Sequence, residues 1–355
     1  HIHAGDDLHN FDALSHVVIF SQKGWIIELM SQLNNAAGQF ISHCTADAMV
    51  AAAEKLKSGS LVAFPTETVY GLGADATNAA AVARIYSVKG RPADHPLIVH
   101  ISSMQGIADW AGDIPDYAIA LARAYWPGPM TLIFKRSELA QDFVTGGQDT
   151  VGLRVPDHAI AQALLKAFES IGGKGIAAPS ANRFGHVSPT TAQAVSEELS
   201  AYLAADDVVL DGGQSLVGVE STIIDCTSDS PRILRPGAIT EEMIVAASGS
   251  ALSQAGNEIR VSGSLENHYA PEAKVVLDIP PQPGDGFIAL AATQTPAGVI
   301  RLAAPLTHEE FARILYSSLR SADQQKLARV VVHQPLGDDI AVAIRDRLLR
   351  ASHGR

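Results

Sequence analysis

The chain has 355 residues, of which 47% are hydrophobic and 18% charged, a composition typical of a globular protein with room for two domains. A hydrophobic core can be built from it without disulfide or metal cross-links. Its net charge of −12 argues against a protein that coats nucleic acid through bulk charge, although a nucleotide site needs only a few well-placed cations.

Two cysteines, Cys44 and Cys226, stand outside any CxxC pair, so the sequence predicts neither a zinc site nor a disulfide framework. We therefore expect a reducing compartment and a cytoplasmic location. The apolar segment 17–30 is interrupted by Lys23 and Glu28 and lacks a secretory cleavage pattern. We expect no membrane association.

Residues 1–43 show no regular pattern and are treated as an N-terminal extension of unknown role. Thr45 is predicted to cap a helix that ends near Lys57, and Thr77 to cap a second helix. The face of the first helix that is predicted to be buried comprises Met49, Val50, Ala53 and Leu56. Strands are predicted at 61–64, 97–101, 130–135, 151–155, 175–178, 208–210 and 219–226, and further helices at 156–168 and 190–199. This alternation predicts an α/β domain over 44–245, built on a largely buried sheet.

Residues 246–272 are rich in Ala, Ser and Gly and are predicted to form a linker. Beyond it, strands are predicted at 275–279, 287–290, 298–302 and 329–333, and helices at 307–320 and 338–350. These elements predict a smaller second α/β domain over 273–355.

Several common catalytic motifs are absent, including the P-loop, HExxH and GxSxG. The segment Gly71-Leu-Gly-Ala-Asp-Ala76 fits a dinucleotide fingerprint. However, six residues separate it from the strand that ends at Phe64, whereas the fingerprint requires an immediate strand-to-helix turn. We predict a tight turn with small residues there instead.

Lys89 and Arg91 lie two residues apart. In an extended segment they would face the same side and suit a polyphosphate, and the alternative is an ordinary solvated pair. The polar loop 65–70 would present hydroxyls and backbone N–H groups to a carboxylate or phosphate, or is simply a turn.

Arg154 lies inside an apolar strand and therefore requires an anionic partner; Arg235 is a weaker case of the same kind. His100 ends another apolar strand, where a lone histidine is usually a core or edge residue. Ser180 follows a strand at its carboxyl end, the usual ligand side of an α/β sheet. No His–Asp pair lies near it in sequence, so we predict a binding role and not a nucleophile.

Read in chain order, these segments resemble the YrdC/Sua5 family, the L-threonylcarbamoyladenylate synthases of tRNA modification. The matching segments are Phe64-Pro-Thr-Glu-Thr-Val-Tyr-Gly-Leu-Gly73, Lys89-Gly-Arg-Pro92, Pro96-Leu-Ile-Val-His100, Trp126-Pro-Gly-Pro129, Val151-Gly-Leu-Arg-Val-Pro156, Ala178-Pro-Ser-Ala-Asn182, Ser188-Pro-Thr190, Glu220-Ser-Thr-Ile223 and Arg235-Pro-Gly237. His268-Tyr-Ala-Pro271, Tyr316 and Ala343-Ile-Arg-Asp-Arg-Leu348 resemble the two-domain Sua5 subtype. The resemblance implies a YrdC-like twisted mixed sheet with helices, joined by the linker to a smaller Rossmann-like α/β Sua5 domain.

The resemblance also implies a nucleotidyltransferase reaction. L-threonine and bicarbonate form a carbamate that attacks the α-phosphate of ATP, giving threonylcarbamoyl-AMP and pyrophosphate in the first step of t6A modification. The implied partners are ATP, L-threonine, bicarbonate, downstream tRNA-modifying proteins and, as a candidate, tRNA itself. Such chemistry needs mainly alignment and charge neutralisation. A lid would protect the labile carbamate from water, and the linker around Tyr269 is our candidate for it.

Site residues carry over from the family by position. For L-threonine they are Thr68, His100, Arg154, Ala178 and Ser221, with Arg154 pairing with the carboxylate. For ATP they are Arg91, His95, Thr150, Ser180, Ser188, Arg235 and Tyr269. Lys89 and Arg91 are the catalytic cations expected near the phosphates. We expect Mg²⁺ to arrive with ATP, held by phosphate oxygens and water, and no protein metal site.

Two positions depart from the family pattern: His95 stands where Asn is common, and Phe184 stands where a serine often precedes the glycine. Two other functions remain open. One is a relative that carbamoylates another acceptor, although such relatives carry additional carbamoyltransferase or zinc-finger domains for which this sequence shows no signal. The other is an RNA-binding or ribosome-assembly protein, which the acidic balance disfavours.

Overall fold

The structure, a computed structural model, describes residues 41–254, 256, 258–263 and 268–354. All of them belong to one unit, Phe40–Arg355. The predicted N-terminal extension lies outside the described residues up to residue 40. Its last three residues form a strand of the larger sheet.

The larger sheet is mixed. Its strands are β1 (Ile41–His43), β2 (Val62–Phe64), β3 (Gly71–Asp75), β4 (Ile98–His100), β5 (Met130–Lys135), β6 (Thr150–Arg154), β7 (Ile176–Ala177), β8 (Val208–Asp211), β9 (Thr222–Asp225) and β10 (Arg232–Arg235). They form a 10-stranded sheet in the order β1-β8-β2-β3-β7-β4-β6-β5-β9-β10. Parallel pairs such as β4–β6 occur beside antiparallel pairs such as β5–β6, which confirms the predicted mixed sheet.

Helices pack against this sheet. They are α1 (Ala46–Lys57), α2 (Ala79–Lys89), α3 (Ile107–Trp110), α4 (Asp116–Tyr125), α5 (Asp142–Thr145), α6 (Ala159–Ser170), α7 (Ala192–Leu199) and α8 (Glu241–Ser248), with a 3-10 turn at Met104–Gly106. Thr45 caps α1 as predicted, its Oγ1 accepting a hydrogen bond from the Ala48 N–H at 3.1 Å. Val50 was wrongly placed on the buried face, since it is 51% exposed while Ala52 is buried. Successive helical residues are ~100° apart, so Val50 falls beside the apolar stripe defined by Met49.

Two local predictions around β3 were wrong. Asn78, not Thr77, caps α2, because the Thr77 hydroxyl instead donates to Asp75 Oδ1 at 2.7 Å. The glycine-rich segment is a strand and not a tight turn. A Cβ at Gly73 would lie 2.7 Å from Ile176 and 2.9 Å from Phe64, so the small residue permits close packing of three neighbouring strands.

The C-terminal part forms the second, smaller α/β unit expected from the sequence. Its elements are β11 (Lys274–Leu277), β12 (Gly286–Ile288), β13 (Ile300–Ala303), α9 (His308–Gln324), β14 (Arg329–Val332) and α10 (Ala341–Ser352). The four strands are parallel, in the order β11-β14-β12-β13. Helix α9 begins at the cap Thr307 and buries Phe311, Leu315, Tyr316 and Leu319.

The two α/β units share a hydrophobic core. Val69, Val187 and Val219 of the first unit pack in the same apolar cluster as the buried face of α9. Gly218, at φ +82°, fits closely under α9, because a Cβ there would lie 2.4 Å from the Arg313 Cα. The predicted linker partly overlaps a helix, since α8 continues to Ser248 and ends at the left-handed Gly249. Among the described residues, no helix has the length and apolar character needed to cross a bilayer.

Candidate active site

A cavity lies over one face of the large sheet, at its short central strands. Ile98 and His100 are two residues apart on β4, so their side chains point to the same face. The register partner of His100 on the parallel strand β6 is Arg154. The sheet therefore brings His100 and Arg154 side by side, as the family resemblance requires of a shared site.

Loops from both sides complete the cavity. The loop after β2 contributes Thr66 and Thr68, and the segment after β7 contributes Ser180, which is bridged to Gly71. Ser221 immediately precedes β9, and its hydroxyl lies 2.8 Å from that of Thr131 on β5. Thr66, Thr68, Val69, Tyr70, Gly71, Lys89, Arg91, Ile98, His100, Arg154, Ala178, Pro179, Ser180, Phe184, Glu220, Ser221, Arg235, Ser262, Gly263, His268 and Tyr269 line the cavity.

Most of the predicted site residues come together here. Those that line the cavity are Thr68, Lys89, Arg91, His100, Arg154, Ala178, Ser180, Ser221, Arg235 and Tyr269. The cavity thus brings together four cationic side chains, three hydroxyl-bearing side chains, a histidine, a tyrosine and the small residue Ala178. This convergence tests the placement of the residues, while their roles toward substrates remain predictions.

Lys89 and Arg91 reach the cavity by a different backbone path from the one predicted. Lys89 is the last residue of α2, and Gly90 terminates the helix in the left-handed conformation at φ +63°, so the pair does not lie in an extended strand. The Lys89 ammonium donates to the carbonyls of Ser180 and Asn182, each at 2.5 Å. The Arg91 guanidinium donates to the Pro96 carbonyl at 2.9 Å and to the Ser262 hydroxyl at 3.2 Å.

Burial weakens the charged forms of these cations. Burial, followed by the charge of Arg91, holds the pKa of Lys89 well below its usual value. Burial also lowers the pKa of Arg91 to about 10 and lowers that of Arg235. Cations gathered without a carboxylate in their hydrogen bonds are electrostatically unfavourable, and a bound polyanion relieves this cost.

Arg154 has the anionic partner that its buried position requires. Its Nη2 lies 2.8 Å from Glu67 Oε1, and both side chains are less than a tenth exposed. The contact with Glu67 is an ion pair without hydrogen-bond geometry, and neither Nε nor Nη2 of Arg154 has a hydrogen-bond partner within the described structure. The guanidinium therefore retains a free donor next to a cavity that is lined by hydroxyls.

Arg235 joins the strand edge to the linker. Its Nε and Nη2 donate to the Ser221 carbonyl at 3.1 and 3.0 Å, and its Nη1 donates to the Ser262 carbonyl at 2.8 Å. Since Ser262 also accepts from Arg91, one linker residue contacts both guanidinium groups. The linker thereby closes the side of the cavity on which the cations converge.

Tyr269 occupies a strained position in the same wall. Its φ of +62° is in the left-handed region, which an aromatic residue rarely adopts. The ring lies 4.1 Å from that of His268 and stacks on Tyr316 of α9 at 5.9 Å, between ring centroids. Contacts on both sides of the ring therefore hold the strained backbone in place.

Three predicted site residues do not line the cavity. Ser188 lies behind it and donates to Glu220 Oε1 at 2.6 Å. His95 packs edge-on against Phe184, with ring centroids 5.5 Å apart. Thr150 begins β6, at the opposite end of that strand from Arg154, and lines a small neighbouring hollow.

Several residues that line the cavity were not among the predicted site residues. Ser262 and Gly263 lie in a low-complexity stretch that carries no periodic signal, although Gly263 fits tightly against Tyr269. Phe184, one of the departures from the family pattern, lines the cavity and has its ring centroid 6.0 Å from that of His268. Glu220 was visible only as part of its motif.

Two buried histidines in the cavity predict a specific acid sensitivity. Burial, followed for His100 by the charge of Arg154, lowers the pKa values of His100 and His268 from 6.5 to about 3. Between these values the unfolded chain binds protons that the folded chain does not, so stability falls as the pH falls through this range. Each histidine contributes a slope of about 1.4 kcal/mol per pH unit.

We therefore expect His100→Asn to flatten the pH dependence of the unfolding free energy between pH 6.5 and 4.5 by about one proton. Urea unfolding at a series of pH values measures this slope. A decrease in the unfolding free energy that is constant above pH 7.5 would report lost packing only. If the variant kept the parent slope of unfolding free energy against pH below pH 6.5, the burial argument would be contradicted.

The comparisons with known proteins decide the family. Residues 54–237 match the Sua5/YciO/YrdC family model, described as "Telomere recombination", and residues 239–353 match "Threonylcarbamoyl-AMP synthase, C-terminal domain". The threonylcarbamoyl-AMP synthase of Bacillus subtilis is 37% identical, over 94% of this chain and 98% of its own. The chain belongs to the Sua5/YrdC family. The family predicted from the sequence motifs is confirmed.

Solved structures agree with this assignment. Sua5 of Pyrococcus abyssi, in a crystal structure complexed with L-threonine, superposes with a TM-score of 0.79 at 35% identity, over 88% of this chain and 97% of the other. The threonylcarbamoyl-AMP synthase of that organism is 38% identical, over 85% of this chain and 93% of its own. The similarity extends over both α/β units, so the two-domain Sua5 architecture is confirmed.

Proposed function

We propose that this protein synthesises L-threonylcarbamoyl-AMP from L-threonine, bicarbonate and ATP with release of pyrophosphate, the first step of t6A modification of tRNA. Its family and the names of its relatives support this function. The observation that carries it is the convergence of Lys89, Arg91 and Arg235 with Arg154 in one cavity. Such a cavity suits a polyphosphate and a carboxylate bound together.

The part of the cavity around His100 and Arg154 is the proposed threonine half of the site. Arg154 pairs with the substrate carboxylate, which shares the guanidinium with Glu67. Thr68 and Ser221 offer hydroxyls to the substrate, and Ala178 leaves space beside them. The structure of the Pyrococcus abyssi relative contains L-threonine, which supports an amino-acid half-site in this fold.

The Lys89–Arg91–Arg235 side is the proposed ATP half. The threonine amine adds to the bicarbonate carbon with loss of water, and an oxygen of the resulting carbamate then attacks the α-phosphorus. The bond from phosphorus to the bridging oxygen breaks, and pyrophosphate leaves with that electron pair. Lys89, Arg91 and Arg235 stabilise the charge that develops on the phosphates, so the reaction needs no covalent nucleophile.

Magnesium is proposed to enter with the nucleotide. No group of three or more His, Cys, Asp or Glu side chains in the described ranges is arranged to hold a metal ion. Within the cavity, the carboxylate of Glu220 is already bound by Arg347 at 2.8 Å. These contacts fit a cation that is held by phosphate oxygens and water, whose charge would help to neutralise the phosphates.

The linker is proposed to act as a lid. Ser262, Gly263, His268 and Tyr269 form one wall of the cavity, which offers only about 40 Å³ to the centre of a water molecule. One water requires ~10–15 Å³ on this measure, so ATP and threonine need this wall to move before they enter. Closure then keeps water away from the carbamate.

The decisive experiment measures pyrophosphate release from ATP with and without L-threonine and bicarbonate. We expect release only when both are present, and threonylcarbamoyl-AMP as the co-product by mass spectrometry. Pyrophosphate release that does not depend on threonine would favour a relative that serves another acceptor, and an absence of release under every condition would fit an RNA-binding protein. Either result would exclude the proposed reaction. The cytoplasmic location, the transfer to tRNA and the downstream modifying proteins belong to the same proposal.

A further inference from the structure

The C-terminal unit holds a buried carboxylate of the cavity wall. Glu220 Oε2 accepts hydrogen bonds from the Tyr316 hydroxyl of α9 and from Arg347 Nε of α10, both at 2.8 Å. The Arg347 side chain is fully buried. Glu220 Oε1 accepts from Ser188, so both oxygens of the carboxylate are fixed.

Arg347 also fixes the backbone beside two other cavity residues. Its Nη2 donates to the Pro236 carbonyl at 2.9 Å and to the Glu220 carbonyl at 3.3 Å. Pro236 directly follows Arg235, and Glu220 directly precedes Ser221. One guanidinium of the C-terminal unit thus anchors the backbone next to both Ser221 and Arg235.

The same two side chains contact the strained tyrosine of the linker. The Arg347 guanidinium carbon lies 5.4 Å from the Tyr269 ring centroid, and the Tyr316 ring stacks on Tyr269 at an interplanar angle of 22°. A stacked ring and a cation over its face both favour one orientation of Tyr269. The left-handed backbone at this residue is therefore stabilised from the C-terminal unit.

The ion pair between Arg347 and Glu220 also decides whether this part of the cavity wall carries an uncompensated negative charge. Burial alone would raise the pKa of Glu220, but the charges of Arg347 and Arg235 lower it to about 2, so the carboxylate is ionised. With Arg347 in place, that negative charge is compensated within the wall. Without Arg347, an ionised carboxylate would face the polyphosphate and compete for Arg235.

We propose that Arg347 and Tyr316 are positioning residues for the nucleotide half of the site, acting through Glu220, Arg235 and Tyr269. Among the described residues that line the cavity, none lies beyond Tyr269 of the linker, so the C-terminal unit acts on the site without lining it. This inference rests on the proposed function for the identity of the nucleotide. It assigns the C-terminal unit a role in ATP binding that its position outside the cavity does not reveal.

The test compares Arg347→Met with Arg347→Met/Glu220→Gln, and both with Tyr316→Phe. We expect Arg347→Met to raise the KM and the Kd for ATP about tenfold or more, with a change of at most about twofold in the KM for threonine. In the double variant, Glu220→Gln removes the uncompensated negative charge, so this variant should recover most of the ATP affinity. Tyr316→Phe keeps the stacked ring and removes one hydroxyl, so a smaller increase of about threefold is expected.

The matched control is Arg329→Met, which breaks a second ion pair of the C-terminal unit, to Asp285 at 2.7 Å. It should lower the melting temperature and leave ATP affinity unchanged. If Arg347→Met changed only the melting temperature, as the control does, the positioning role would be wrong. The same holds if the double variant bound ATP no better than the single variant.

Direct titration of ATP binding separates this inference from the proposed reaction. Arg347-dependent ATP binding without threonine-dependent pyrophosphate release would disprove the reaction and keep the positioning role. Normal threonine-dependent pyrophosphate release from both Arg347 variants, with unchanged ATP affinity, would support the reaction and disprove the positioning role.

Discussion

Arg154→Ala should raise the KM for L-threonine about 30- to 1000-fold while changing the KM for ATP by less than about threefold. The side chain is buried beside His100 and keeps an unpaired Nε donor at the edge of the cavity. Truncating one partner of a buried, hydrogen-bonded charge pair costs about 2–5 kcal/mol. A cost of about 2–4 kcal/mol within that range corresponds to the expected 30- to 1000-fold change in KM.

The neighbouring glutamate complicates this variant and also supplies its control. Arg154→Ala leaves Glu67 buried without its partner, and the unpaired carboxylate would repel a substrate carboxylate and destabilise the fold. The double variant Arg154→Ala/Glu67→Gln removes that charge. We expect it to recover much of the lost melting temperature without recovering threonine affinity.

Initial rates of pyrophosphate release at varied threonine concentrations give these constants, and thermal unfolding gives the stability. If the double variant regained the parent KM for threonine, the loss in the single variant would come from Glu67 repulsion and Arg154 would not bind the substrate. An unchanged threonine KM in the single variant would also remove the assigned role.

Local features of the fold were predictable because their causes are local. The Thr45 cap and the six-residue strand Met130–Lys135 depend on side chains within a few residues, and both were predicted correctly. The backbone conformation from Lys89 to Arg91 was predicted incorrectly, because Lys89 belongs to a helix that ends at the left-handed Gly90. An extended segment and a helix end have the same sequence spacing there, and only the backbone distinguishes them.

The site was partly predictable from the family motifs, which supplied most of the residues that line the cavity. The rest depends on contacts between residues far apart in sequence. Arg347 and Glu220 are separated by 127 positions, and Arg91 and Ser262 by 171. Neither periodicity nor spacing reports such pairs. The misplacement of Ser188 has a similar cause, since its hydroxyl is turned toward Glu220 by a contact 32 positions away.

The double variant Lys89→Ala/Arg91→Ala should lower kcat/KM for ATP-dependent pyrophosphate release by at least about 10³-fold. Removing one donor that stabilises transition-state charge typically costs about 10²–10³ in kcat, and losses within one cluster are not additive. Both cations line the cavity, and their hydrogen bonds go to carbonyl and hydroxyl oxygens. A polyphosphate would therefore be their first full counter-charge.

Lys89 has a second role that must be separated from this one, because its ammonium holds the Ser180 and Asn182 carbonyls in place.

Arg91→Lys keeps a positive charge and loses only the planar fork, so a loss of about tenfold in kcat/KM is expected from this variant alone. The charge-matched control is Lys135→Ala/Arg136→Ala, which removes two cations at the end of β5, the exposed Lys135 and the partly buried Arg136, neither of which lines the cavity. Because neither side chain lines the cavity, this control should keep nearly full activity. If this control lost as much activity as Lys89→Ala/Arg91→Ala, overall charge would explain the effect. Normal pyrophosphate release from Lys89→Ala/Arg91→Ala would show that the phosphates bind elsewhere.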